Sequence, residues 1–166
     1  MTTAVCPGSF DPITLGHLDV VSRARVMFDE VIVGVAHNST KAELLPAARR
    51  VELARAALAG VDGVRVELVG GLLTDFCRDV GAVVVVKGLR GGADFDHELP
   101  MALLNRHQSG VETVFVVGDP ALGHIASSLV KDVARHGGRI TDLVPDGVEA
   151  VVRQALGVSP DQRSDG

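Results

Sequence analysis

The chain has 166 residues, 46% of them hydrophobic and 22% charged, the make-up of one soluble globular domain long enough to bury a sizeable core. Its formal net charge of −5 argues against a general nucleic-acid surface, which needs a basic stripe, but leaves room for a local basic pocket. No apolar run reaches membrane-spanning length, and the short uncharged start, followed at once by Pro7-Gly8, is unlike a signal peptide, so the cytoplasm is the expected compartment.

Tryptophan and tyrosine are absent, so the core must come from Val, Leu, Ile and Ala. That favours parallel strands covered by helices on both faces. Thr3 to Cys6 reads as the first strand and Gly16 to Phe28 as the first helix, with Leu18, Val21, Ala24, Arg25 and Phe28 on one face. Val31 to Ala36 is the second strand, and a polar stretch runs from His37 to Leu45. Pro46 starts a helix through Ala59, with Val51, Ala54, Ala57 and Leu58 inward. Val64 to Val69 is the third strand, Gly70-Gly71 breaks it, and Leu72 to Asp79 is a short helix. Ala82 to Val86 is the most apolar run and is expected as a central parallel strand ended by Lys87. Asp94 opens or caps a helix to about Gln108. Pro100 fits its first turn if the helix starts near Leu99 and otherwise implies a kink. Thr113 to Val117 is the fifth strand, Ser127 or Ser128 opens a helix ending before Gly137-Gly138, and Asp146 to Leu156 is the last element.

This alternation predicts a single-domain α/β fold over residues 1–158: a Rossmann-like open parallel five-stranded sheet with helices on both faces. Residues 159–166 form a polar tail, expected to be flexible. Cys6 and Cys77 lack metal or redox spacing and read as small core hydrophobes.

Four polar patches follow strands one, two, four and five: Ser9 to His17, Lys41, Lys87 to Arg90, and Gly118 to Ser128. In a parallel sheet all would gather at the carboxyl edge, where ligands bind. Their chemistry suits phosphoryl or nucleotidyl transfer, which needs alignment and positive charge rather than a protein nucleophile. Ser9 offers a hydroxyl, His17 a protonated imidazole, Lys87 and Arg90 charges for triphosphate oxygens, and Lys41 a charge for a second anionic substrate. Ser127 and Ser128 open a helix whose hydroxyls and amides can cradle a phosphate. Asp11 reads equally as a metal ligand or as a turn residue before proline. No His/Cys/Asp cluster has metal-ligand spacing, and neither a Walker loop nor G-x-G-x-x-G is present.

Thr14-Leu15-Gly16-His17 resembles the T/H-x-G-H signature of the nucleotidylyltransferase superfamily. The longer segment Pro7-Gly8-Ser9-Phe10-Asp11-Pro12-Ile13-Thr14-Leu15-Gly16-His17 is similar to that of the bacterial phosphopantetheine adenylyltransferase family. So are Lys87-Gly88-Leu89-Arg90, Ala93-Asp94-Phe95-Asp96-His97-Glu98, Asn105-Arg106 and Ala126-Ser127-Ser128-Leu129-Val130-Lys131-Asp132, and the likeness runs to about Pro145. It implies transfer of the adenylyl group of ATP to 4′-phosphopantetheine by direct in-line attack, giving dephospho-coenzyme A and pyrophosphate. By this resemblance Ser9, His17, Lys41 and Lys87 are catalytic. Ser9, Phe10, His17, Gly88, Arg90, Glu98, Ser127 and Ser128 face ATP, and Ser9, Lys41, Leu73, Lys87 and Asn105 face phosphopantetheine. Mg²⁺ is implied as the partner of ATP, held by phosphates and water with no protein ligand assigned. A homohexamer and feedback inhibition by coenzyme A are implied too. The chain departs from the family pattern at Lys87, usually arginine, at His97 and His124, usually aromatic, and at Ala126, usually serine. The alternatives are a related cytidylyl- or adenylyltransferase with another phosphorylated acceptor, and a non-catalytic nucleotide sensor.

Overall fold

A computed structural model describes residues 1–159. The tail expected from residue 159 onward lies, beyond its first residue, outside them. Five parallel strands are formed: β1 (Thr3–Gly8), β2 (Glu30–Ala36), β3 (Val64–Val69), β4 (Val84–Leu89) and β5 (Glu112–Val117). Their order in the sheet is β3-β2-β1-β4-β5. Six helices join or follow them: α1 (Leu15–Met27), α2 (Ala47–Leu58), α3 (Leu73–Asp79), α4 (Gly92–Ser109), α5 (Ser127–Arg135) and α6 (Val148–Leu156). The expected α/β architecture is therefore present.

The strand order reverses beside β1, and the pairing there is unequal. β1 and β2 stay in register from Thr3↔Glu30 to Gly8↔Val35. β4 and β5 stay in register from Val84↔Glu112 to Leu89↔Val117. Between β1 and β4 only Ala4↔Val84 and Val5↔Val85 pair. The two middle strands thus part beyond Val5 and Val85, and a crevice opens at their carboxyl ends. This is the switch point of an open parallel sheet, where neighbouring crossovers leave in opposite directions.

Alternating side chains divide the core. Ala4, Cys6, Val31, Val33, Val84 and Val86 face the larger cluster, shared with Val21 and Ala24 of α1, Ala54 and Leu58 of α2, and Val130, Val148 and Val152. Val5, Ile32 and Val85 face a smaller cluster with Cys77 of α3, against which Leu73 and Phe76 pack. Both cysteines are buried and free, as their spacing suggested. Burial pushes their thiols up, to about 12 for Cys6 and about 11 for Cys77, so neither is a nucleophile at neutral pH.

Several boundaries differ from the sequence reading. The fourth strand is displaced: Ala82 and Val83 precede it, while Lys87, Gly88 and Leu89 belong to it. Hydrogen bonding to β5 carries β4 past its apolar run, so Lys87 rises from a paired strand rather than ending it. α4 begins at Gly92, and Asp94 lies inside its first turn, accepting the Arg90 amide at 2.8 Å. Pro100 lies within this one 18-residue helix rather than in its first turn. α6 begins at Val148 because Gly147 adopts φ 81° ahead of it. A short 3-10 turn at Pro120–Leu122 was not anticipated.

Gly88 sets how closely α1 approaches the sheet. A Cβ there would lie 2.5 Å from Cγ2 of Val20. Gly88→Ala forces the stiff β-branched side chain of Val20 to give way and strains the packing on β4 of α1, which carries His17. We expect a loss of about 1–3 kcal/mol of stability from overpacking and a matching fall in turnover. Adding Val20→Ala should restore both; denaturant melts and turnover of the single and double variants check this.

Candidate active site

The segment after β1 makes a turn that no regular element explains. Phe10 takes φ 48°, in the left-handed region, where a bulky residue costs on the order of 1–3 kcal/mol. Its ring is buried and meets the His17 ring edge-to-face, 4.9 Å between centroids. Thr14 then caps α1: its hydroxyl accepts the His17 amide at 3.3 Å, and its own amide donates to His17 Nδ1 at 3.0 Å. Cap and histidine therefore hold each other in a reciprocal box.

That box fixes the state of His17. Nδ1 accepts a backbone N–H, so the neutral ring carries its proton on Nε2, as a donor on a residue that lines the cavity. Burial, with Arg90 and Lys87 nearby, lowers the His17 pKa from 6.5 to about 4. The protonated imidazole expected from sequence is thus corrected: at neutral pH the free protein presents an uncharged donor. A folded value below the unfolded one gives stability that is complete above 6.5 and lost as pH falls toward about 4. An NMR titration of the His17 ring should show a midpoint near 4, and His17→Gln should flatten the acid limb of the pH–stability curve. A midpoint at 6.5 would contradict this assignment.

The crevice encloses a cavity of about 450 Å³, enough for a nucleotide-sized ligand. Ser9, Phe10, His17, Lys41, Lys87, Gly88, Arg90, Glu98, Ser127 and Ser128 all line it. Leu73 and Asn105 are not among the lining residues. Leu73 packs against the smaller core cluster and Asn105 is buried in α4.

The cavity's cations are partly occupied. Lys87 Nζ lies 3.3 Å from Glu98 Oε2. Arg90 grips Asp94 with Nε and Nη2, both at 3.0 Å, and its Nη1 donates to the Ile125 carbonyl at 3.0 Å. The Arg90 contact is the main reason the Asp94 carboxyl sits below the usual carboxylate range. Lys41 is exposed on the loop after β2, and among the described residues no carboxylate pairs with it.

The other polar groups knit the loops together. Asp11 is 5% exposed and accepts the Leu44 and Leu45 amides at 2.8 and 2.9 Å, while Lys131 Nζ lies 3.2 Å away. Asp11 thereby ties the segment after β1 to the stretch before α2 and to Lys131 of α5, a long-range link that neither reading of it from sequence described. The Ser127 hydroxyl donates to the Pro12 carbonyl at 2.8 Å, so its proton serves the frame and is not free for a phosphate, contrary to expectation. Ala126 caps α5 without a side-chain acceptor, leaving first-turn amides available toward the cavity. His97 lines the cavity too, whereas His124 is exposed and not among the lining residues. Asp19 binds the Asp119 amide at 2.8 Å and ties α1 to the loop after β5.

The sequence reading missed Arg50, Asp19 and the capping partnership of Thr14. Arg50 is fully buried. It precedes Leu53 and Ala54 by three and four positions, so it lies on the buried stripe of α2, a signal legible in the spacing.

The chain is similar to known proteins over most of its length. A family model described as cytidylyltransferase-like matches residues 5–133. The phosphopantetheine adenylyltransferase of Bifidobacterium longum strain DJO10A is 53% identical over 158 residues, 94% of this chain and 95% of that protein. The chain belongs to the phosphopantetheine adenylyltransferases of the cytidylyltransferase-like family. A second phosphopantetheine adenylyltransferase, from Nocardioides sp. strain JS614, is 49% identical over 94% of this chain and 98% of its own. Among solved structures, a Vibrio parahaemolyticus protein provisionally described as a nicotinate-nucleotide adenylyltransferase superposes with TM-score 0.63 at 16% identity, covering 92% of this chain and 99% of its own. At that identity the likeness speaks to the fold alone, which it shares with this phosphopantetheine adenylyltransferase family member.

Proposed function

We propose that the protein transfers the adenylyl group of ATP to 4′-phosphopantetheine, releasing pyrophosphate and forming dephospho-coenzyme A. The observation that carries this reading is the family membership across nearly the whole chain, joined to a crevice in which His17, Lys41, Lys87 and Arg90 converge. A phosphate oxygen of phosphopantetheine attacks the α-phosphorus of ATP. A P–O bond forms, the bond to the β-phosphate oxygen breaks, and that oxygen keeps the electron pair as pyrophosphate leaves. No protein atom is covalently modified, in keeping with cysteine thiols held far from ionisation.

The residues supply placement and charge. Lys41 and Lys87 hold the attacking phosphate. The His17 Nε2–H donates to an α-phosphate oxygen as its charge grows. Arg90 and the amides of α5 take the outgoing phosphates. Mg²⁺ would enter with ATP and offset triphosphate charge. Of the carboxylates that line the cavity, Asp94 is paired with Arg90, Glu98 with Lys87, Asp11 with Lys131 and Asp19 with Arg23, and Asp119 accepts the Ala121 amide, a donor set that suits a metal carried by phosphates and water.

By the same resemblance we propose a homohexamer, a cytoplasmic location and feedback inhibition by coenzyme A, which shares the phosphopantetheine moiety of the substrate. The exposed side chains Phe95, Met101, Leu103 and Leu104 of α4 support self-association. Among the described residues no helix is long and apolar enough to cross a membrane.

The test is pyrophosphate release from ATP and Mg²⁺, with and without 4′-phosphopantetheine, and mass detection of the product. Release that requires phosphopantetheine, and fails with CTP, supports the reading. ATP binding without release would favour a nucleotide sensor.

A further inference from the structure

Beneath the cavity lies a polar joint outside the set of groups that face substrate. Arg50, in the first turn of α2, is completely buried. Its Nε donates to the Leu45 carbonyl at 3.0 Å, and its Nη1 donates to the Ser9 carbonyl at 2.6 Å and the Ala36 carbonyl at 2.9 Å. Its Nη2 lies 2.9 Å from Glu43 Oε2. The other oxygen of Glu43 accepts the Asn38 amide at 3.0 Å and meets His37 Nδ1 at 2.9 Å.

These contacts bracket Lys41. Asn38 begins the loop that carries it, and the Asn38 carbonyl accepts the Lys41 amide at 3.2 Å. Glu43 ends the loop, and Leu44 and Leu45 are held by Asp11. One guanidinium therefore joins the turn bearing Ser9, the end of β2 and the far side of the Lys41 loop. A buried, charged fork is a costly way to fill a core, and its fixed geometry suits holding three chain segments at set distances.

We propose that the Arg50–Glu43 pair is a positioning device that sets the Lys41 loop against the Ser9–His17 turn, so that the attacking phosphate meets the α-phosphorus in line. This rests on the adenylyl-transfer reading above. Neither residue touches substrate; both act through Lys41 and Ser9. Glu43→Gln keeps the shape and loosens the loop. It should raise KM for 4′-phosphopantetheine about tenfold while KM for ATP stays within about twofold. Arg50→Lys keeps the charge and loses the fork, and it should lower kcat about tenfold as well, because the Ser9 turn is released too.

The experiment is steady-state kinetics with both substrates varied, on the parent and both variants, well below their melting temperatures. A parent that makes no dephospho-coenzyme A would overturn the proposed function and this role with it. With an active parent, an unchanged KM for 4′-phosphopantetheine in Glu43→Gln, or equal rises in both KM values, would overturn the positioning role alone. Should Arg50→Lys not fold, the Glu43→Gln split decides.

Discussion

His17→Ala is expected to reduce turnover roughly 10²–10³-fold, the usual cost of deleting one aimed donor from a transition state, with ATP affinity nearly unchanged. The argument rests on geometry rather than on charge. The Thr14 amide holds Nδ1, so the ring is locked with Nε2 as the donor. With its pKa lowered to about 4, the ring needs no deprotonation to act at neutral pH. A donor of this kind gains strength as charge builds on the transferring phosphorus and contributes little to the ground state. Turnover and ATP-binding titrations on the variant separate the two effects. Equal loss in both would make His17 a binding group, and unchanged turnover would remove it from the mechanism. Thr14→Val should reproduce part of the loss, since the capping hydroxyl would be gone while the backbone donor remains.

Lys87→Met is expected to cost about 10²-fold in kcat/KM, more than an equivalent loss at exposed Lys41. Two features set the size. Lys87 stands on β4, paired with Phe115 of β5, so its stem is rigidly placed. It also neutralises Glu98, 3.3 Å away. Removing the lysine leaves a carboxylate facing incoming phosphates, which adds repulsion to the lost attraction. Lys87→Met combined with Glu98→Gln should therefore recover part of the loss, a non-additivity expected of groups in contact. Kinetics on the two single variants and the double variant measure it. A double variant worse than Lys87→Met alone would mean that Glu98 serves ATP directly.

The element order, the parallel sheet and the phosphate-handling patches are all legible in the amino-acid sequence. Each depends on local pattern: runs of valine and isoleucine for buried strands, helical spacing after Gly16 and Pro46, and polar residues where strands end. The Thr14-Leu15-Gly16-His17 signature also pointed to the family that comparison then established. Tertiary structure decided what pattern cannot carry. The extension of β4 through Leu89 comes from pairing with β5. The crevice exists because β1 and β4 part after two paired positions. The spacing places Arg50 on the inward stripe of α2, but its partners, the Ser9, Ala36 and Leu45 carbonyls, are assembled only by folding. The neutrality of His17 and the commitment of the Asp11 and Ser127 side chains likewise depend on partners brought close by folding. Hydrophobic period is a property of neighbours in the chain, whereas a protonation state or a satisfied buried charge is a property of neighbours in space.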